Sequence, residues 1–172
     1  LQPAGDLPFD EAVEVFAEVV RAGTAAGADF ILLETFTDLY ELKAAVIAAK
    51  ENSDLPIFAT MSFEANGTTF FGASVESMVM TLEALGVAAL GVNCSLGPKQ
   101  LAPVVKRILA ATRLPVLVQP NAGLPVMEGG ATRYDITPEE FAACVKNFVG
   151  EGVRFVGGCC GTTPEYIKLT KS

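Results

Sequence analysis

The chain has 172 residues, 51% of them hydrophobic and 19% charged, which is the balance of one folded domain with a sizeable core and excludes a disordered segment. Its 20 acidic against 12 basic residues give a net charge of -8, which argues against a nucleic-acid partner held through phosphates. It has no histidine, which excludes imidazole acid–base chemistry and every zinc site that needs an imidazole, so any metal must sit on thiolate, carboxylate or amide groups.

Residues 1–8 are a polar, proline-containing lead-in. From Asp10 a helix is expected to about Ala26, with Phe9, Val13, Phe16 and Val20 repeating at helical spacing. Ala28 to Leu33 is a short apolar strand ending at Glu34, and Thr35 to Thr37 reads as a loop. Asp38 with Glu41 forms a capping box for a helix ending near Asn52. Pro56 to Phe63 is the second strand, followed by a polar loop, Glu64 to Gly72, with the turn pair Asn66-Gly67. Ser74 caps a helix to about Leu85, Val87 to Val92 is the third strand, and a helix runs from Lys99 to Ala111. Pro115 to Gln119 is the fourth strand. Leu124 to Ile136 reads as a long loop holding Gly129-Gly130. Thr137-Pro138-Glu139-Glu140 is a proline-bearing capping box whose helix reaches about Val149. The fifth strand, Phe155 to Gly157, enters a glycine-cradled turn, Gly157-Gly158-Cys159-Cys160-Gly161. Thr163-Pro164 then starts a last helix that runs to Ser172.

No apolar run reaches the ~18–20 residues of a membrane span, and no signal peptide is visible. Four cysteines without a secretory signal suggest a reducing, cytoplasmic setting.

Helix–strand alternation with short, wholly apolar strands implies an α/β fold whose parallel sheet is buried on both faces. Two architectures compete. A five-stranded doubly wound sheet is complete at this length, but it calls for a glycine-rich phosphate turn after an early strand, and there is none. A (β/α)8 TIM barrel needs eight strands and ~250 residues. On that reading residues 1–172 are the C-terminal five-eighths, about strands 4–8 with the first three missing, as a chain that opens on one helix and ends inside another would be. Four of the five strand ends carry a polar or sulfur residue: Glu34, Cys94, Asn121 and Cys159. Sites assembled from many strand ends are typical of barrels.

Cys94 and the Cys159-Cys160 pair follow strands at the same sheet edge. Three thiolates with one oxygen donor make a zinc site with an exchangeable position, the catalytic and not the structural pattern. Thiolate softness selects zinc over magnesium or calcium. Plainer readings stand beside this. Cys144, among Phe141, Val145 and Phe148, reads as a small core hydrophobe. Glu34 fits a surface carboxylate, Asn121 fits a turn residue after Pro120, and a disulfide between Cys159 and Cys160 would be strained.

The stretches ETFTDL (34–39), GVNCSLGP (91–98), QPNAGLP (119–125) and GGCCGTTPEYI (157–167) resemble the zinc-dependent homocysteine S-methyltransferase family over the whole length. Within it they resemble the homocysteine-binding barrel of the cobalamin-dependent methionine synthases. The resemblance implies that Cys94, Cys159 and Cys160 are zinc thiolates. It implies that Asn121 completes the zinc shell until substrate displaces it, and that Glu34 receives the substrate ammonium. The implied reaction is S-methyl transfer from methylcobalamin to homocysteine, giving methionine, with the cobalamin on another domain and a folate domain as a further partner. The family's Asp-Gly-rich first strand end, which helps hold the amino acid, has no counterpart here. The competing expectations are a catalytically incomplete zinc-binding fragment, a homocysteine S-methyltransferase using another methyl donor, and a flavodoxin-like sheet that binds an anion and no zinc. Open sheet edges would permit a homodimer.

Overall fold

The computed structural model describes residues 1–171, so Ser172, where the last expected helix ends, lies outside the described residues. In chain order the elements are α1 (Phe9–Ala25), β1 (Ile31–Phe36), α2 (Leu39–Asn52), β2 (Ile57–Met61), α3 (Val75–Leu85), β3 (Ala89–Asn93) and α4 (Pro98–Ala111). There follow β4 (Val116–Gln119), β5 (Pro125–Glu128), β6 (Ala131–Tyr134), α5 (Pro138–Glu151), β7 (Phe155–Val156) and α6 (Pro164–Lys171).

The helix starts follow from local chemistry. Asp38 accepts from the Tyr40 N–H and Ser74 from the Ser77 N–H. Thr137 and Glu140 make both halves of a capping box. Each such cap is worth about 1 kcal/mol.

Five strands form one parallel sheet in the order β1-β2-β3-β4-β7. Each strand lies beside its predecessor, without the reversal of order that a doubly wound sheet requires. The helices pack in the same succession, α1 on α2 through α5 on α6, so they form a single layer on one face. That layer and the sheet enclose the core. Leu33, Ile57, Ala59, Met61, Leu90, Val92, Val116 and Val118 point into it, alternating along their strands. Leu90 is fully buried, and truncating such a leucine to alanine typically costs about 2–5 kcal/mol. Among the described residues no helix is long and apolar enough to cross a membrane.

The opposite face of the sheet is concave. The rings of Phe58 on β2 and Phe155 on β7 have centroids 4.9 Å apart, although two strands separate them. A flat sheet would hold strands at that separation roughly 14 Å apart. Gly91, between them on β3, faces the backbone of Leu117 so closely that a Cβ would collide with its carbonyl oxygen.

Two expectations are corrected. The segment 124–136 is not a structureless loop: β5 and β6 pair antiparallel around Gly129-Gly130, both at positive φ (59° and 80°), the two-residue hairpin turn that glycines favour. The first strand also lies three residues later than its apolar run. Parallel pairing draws it forward, with the Ile31 N–H on Pro56 O and the Ser62 N–H on Phe36 O. Thr35 therefore lies inside β1, at an irregularity in the ladder where φ is 69°.

Candidate metal centre

The C-terminal ends of β3, β4 and β7 are stitched together by backbone hydrogen bonds. The Cys94 N–H donates to Gln119 O at 3.0 Å, the Asn121 N–H to Leu96 O at 3.1 Å, the Cys159 N–H to Pro120 O at 2.9 Å and the Ala122 N–H to Cys160 O at 2.9 Å. The turn after β3 is wound left-handed through two non-glycine residues, Cys94 (φ 60°) and Ser95 (φ 58°). Such conformations cost about 1–3 kcal/mol each and persist where the surroundings over-determine them. After β7, Thr162 folds back and donates its hydroxyl to Cys159 O at 2.7 Å, lying where a side chain at Gly158 would have to go.

These turns deliver three sulfurs to one point. Cys94 Sγ is 3.7 Å from Cys160 Sγ, which is 4.0 Å from Cys159 Sγ, and all three lie within 4.8 Å of one another. Zinc–sulfur bonds of ~2.3 Å at tetrahedral angles require sulfurs about 3.8 Å apart. The donor set and spacing therefore fit a tetrahedral zinc ion with one position left over. All four cysteines are free thiols. Burial, and then the neighbouring Cys94 and Cys160, push the Cys159 thiol up to about 12.

Asparagines frame the cluster. Asn93, fully buried at the end of β3, directs Nδ2 toward Cys159 Sγ at 3.9 Å. Asn121, only 4% exposed, accepts the Cys160 N–H at its Oδ1 at 3.0 Å. From the hairpin, the Tyr134 ring lies over Gly161, where a Cβ would meet it. Burial and the adjacent Cys160 sulfur, to which it hydrogen-bonds, push its phenol pKa up.

A polar pair sits at the same rim. Gln119 Nε2 faces Glu34 Oε2 at 3.4 Å, while Gln119 Oε1 is buried without a partner among the described residues. Gly157 leaves room for the Gln119 side chain, which a Cβ would crowd.

Of the residues singled out in the sequence, Cys94, Cys159 and Cys160 converge. The Asn121 side chain accepts from the backbone of the double-cysteine turn, and Glu34 lies one residue from Thr35, which is bonded to Asn93. Cys144 is apart from them, half-buried in a groove between α4 and α5. Sequence reasoning passed over Asn93, Gln119 and Tyr134. Asn93 and Gln119 close their strands and were visible as polar residues ending apolar runs. Tyr134 is brought in by the hairpin that was read as loop.

A model of the homocysteine S-methyltransferase family matches residues 2–172, and the chain belongs to that family. It is 37% identical over 161 residues to the methionine synthase of Mycobacterium tuberculosis, covering 90% of this chain, and 38% identical over 174 residues to that of Mycobacterium leprae, covering 98%. The chain spans 14% of the length of each of these relatives. Among solved structures it resembles the homocysteine methyltransferase MmuM from Escherichia coli. The apo form matches at a TM-score of 0.75 and the metallated form at 0.76, each at 25% identity and over 92% of this chain. The match covers 57% and 51% of those chains. The carboxyl transferase domain of Rhizobium etli pyruvate carboxylase shares the fold alone, at a TM-score of 0.58 and 18% identity over 90% of this chain and 24% of that one.

Proposed function

From that family membership we propose that the chain is the zinc-bearing, homocysteine-binding part of a methionine synthase. It would ready the homocysteine thiol for S-methyl transfer from methylcobalamin. The observation that carries this reading is the convergence of the Cys94, Cys159 and Cys160 sulfurs within 4.8 Å. Zinc held by these three thiolates supplies a positive centre at which a substrate thiol binds deprotonated at neutral pH, where a free thiol with a pKa near ~8.5 is mostly protonated.

The chain's own residues do the rest. The Asn93 and Asn121 amides fix the two cysteine turns. Asn121 is also the fourth donor before substrate enters, its side chain already buried beside Cys160. Glu34 receives the substrate ammonium, and the unpartnered Gln119 Oε1 beside it offers a second acceptor for that group.

The architecture is read as strands 4–8 of a (β/α)8 barrel. The consecutive strand order, the concave inner face and the partial coverage of the MmuM chains support this. The methyl donor, cobalamin, and the folate substrate belong to other domains of the whole enzyme, in keeping with relatives several times longer than this chain. Free thiols throughout suit a reducing cytoplasm. Pairing of two copies through the β1 edge would cover the exposed Phe30 there.

Metal analysis joined to calorimetric titration with L-homocysteine tests the reading. One zinc per chain and homocysteine binding that disappears on chelation are expected. Loss of either result overturns it. A zinc-bearing chain that binds no homocysteine favours the second reading, a metal-binding fragment without turnover.

A further inference from the structure

The irregular end of β1 that carries Glu34 and the turn after β7 that carries Cys159 belong to the two outer strands of the sheet, yet one side chain touches both. Asn93 Oδ1 accepts from the Thr35 N–H at 2.8 Å and from the Thr60 hydroxyl at 2.7 Å. Its Nδ2 donates to Thr35 Oγ1 at 2.7 Å and faces Cys159 Sγ at 3.9 Å. Both acceptor positions and both N–H groups of the amide are thereby used. The grip on Thr35 matters because this β-branched residue sits at φ 69°, a conformation its side chain disfavours. Two hydrogen bonds from one amide, to its N–H and to its hydroxyl, are the kind of over-determination that keeps such strain in place. The contact with Cys159 differs in kind. A thiol accepts weakly and a thiolate strongly, so this N–H gains most once the sulfur is ionised.

We infer that Asn93 is a positioning residue that ties the Glu34–Thr35 irregularity of β1 to the Cys159 sulfur, so that one side chain sets both the Glu34 carboxylate and a metal thiolate. The inference rests on the metal reading of the three thiols. A purely structural asparagine would satisfy Thr35 and Thr60 and leave the metal site indifferent to its loss.

Cobalt(II) titration of the wild type, N93A and the double variant T35G/N93A separates the two cases. The readouts are sulfur-to-cobalt charge-transfer absorbance and melting by circular dichroism. Glycine accepts positive φ, so T35G removes the strain that Asn93 restrains. N93A is expected to lower cobalt affinity about ten- to hundredfold, the usual effect of losing a hydrogen bond to a metal ligand, and to shift the charge-transfer band. T35G/N93A is expected to recover melting temperature without recovering affinity or band position. A folded variant lacking Asn93 that keeps wild-type affinity and an unmoved band overturns the inference. If both variants unfold, the wild type decides by nuclear magnetic resonance: the Asn93 side-chain amide signals must move on cadmium loading, and unmoved signals overturn it. A wild type that takes up no cobalt removes the metal reading and this inference with it, an outcome distinct from a metal site insensitive to Asn93.

Discussion

Gln119 Nε2 lies 3.4 Å from Glu34 Oε2, although their strands, β4 and β1, have two others between them. The concave face brings these side chains together across 85 residues of sequence. A carboxylate with an amide acceptor at its side forms a recognition element for a cation, and an α-amino acid bearing a thiol would supply one. Glu34→Gln keeps the shape and removes the charge. A hydrogen bond to a charged group is worth about 1.5–3 kcal/mol, so the variant is expected to bind L-homocysteine about ten- to hundredfold more weakly. Binding of the analogue lacking the amino group is expected to stay near wild type. Parallel titration of the two thiols checks this, and equal losses for both would remove Glu34 from ammonium recognition.

The proposed metal site divides the four cysteines. Cys94→Ala, Cys159→Ala and Cys160→Ala are each expected to abolish stoichiometric zinc retention after dialysis. Cys144→Ala is expected to leave it intact, because Cys144 lies between α4 and α5, away from the converging sulfurs. Metal analysis of the four purified variants is the measurement.

How far the residue string anticipated this site depends on the range of the interaction concerned. The helix starts were legible because a cap is a contact of two or three residues: Ser74 and Thr137 cap as read, while Asp38 caps through the Tyr40 N–H and not as the expected box with Glu41. The three thiols were legible because each follows an apolar strand at the same sheet edge. The hairpin was missed although Gly129-Gly130 marked it, since its flanking residues are mixed in polarity and do not alternate cleanly. Asn93 was quoted within a motif and given no role. Its importance lies in bonds to Thr35, 58 residues away, and to Thr60, 33 away, which no local pattern encodes. Asn121 was expected as a metal donor from the resemblance alone, and what the structure shows is its oxygen accepting the Cys160 backbone N–H. That bond depends on how two loops meet.

The Cys159 thiol gives a pH dependence to the metal-free protein. Burial, then the adjacent Cys94 and Cys160, raise it from an ordinary value of 9.0 to about 12. As pH rises past the lower value, the unfolded chain releases this proton while the folded chain retains it. The unfolded state then binds fewer protons, so folding stability falls with rising pH. The contribution is fully present below pH 9 and is lost on the way to 12. Urea unfolding of the chelated wild type and of C159A across this window should show an alkaline loss in the wild type that is smaller in the variant. Parallel curves would remove Cys159 as its source.

Gly91 tests the curvature on which the site depends. Its missing side chain lets the β3 backbone approach the Leu117 carbonyl on β4, on the face where Phe58 and Phe155 close over the strands between them. A methyl group has no room there, and its obstacle is backbone, which cannot rotate aside as a side chain would. Gly91→Ala must push β3 from β4 or flatten the sheet. Overpacking of this kind typically costs about 1–3 kcal/mol. The damage should not stop at stability. Cys94 is three residues further along the chain, just past the end of β3, and its N–H is bonded to Gln119 O at the end of β4. Displacement of these strands therefore moves Cys94 relative to the pair after β7. The expected result is a lower urea midpoint together with weaker zinc retention than a core variant of matched stability, such as Leu90→Ala, shows. A G91A protein with wild-type stability and metal affinity would mean that the close approach at Leu117 does not constrain the sheet.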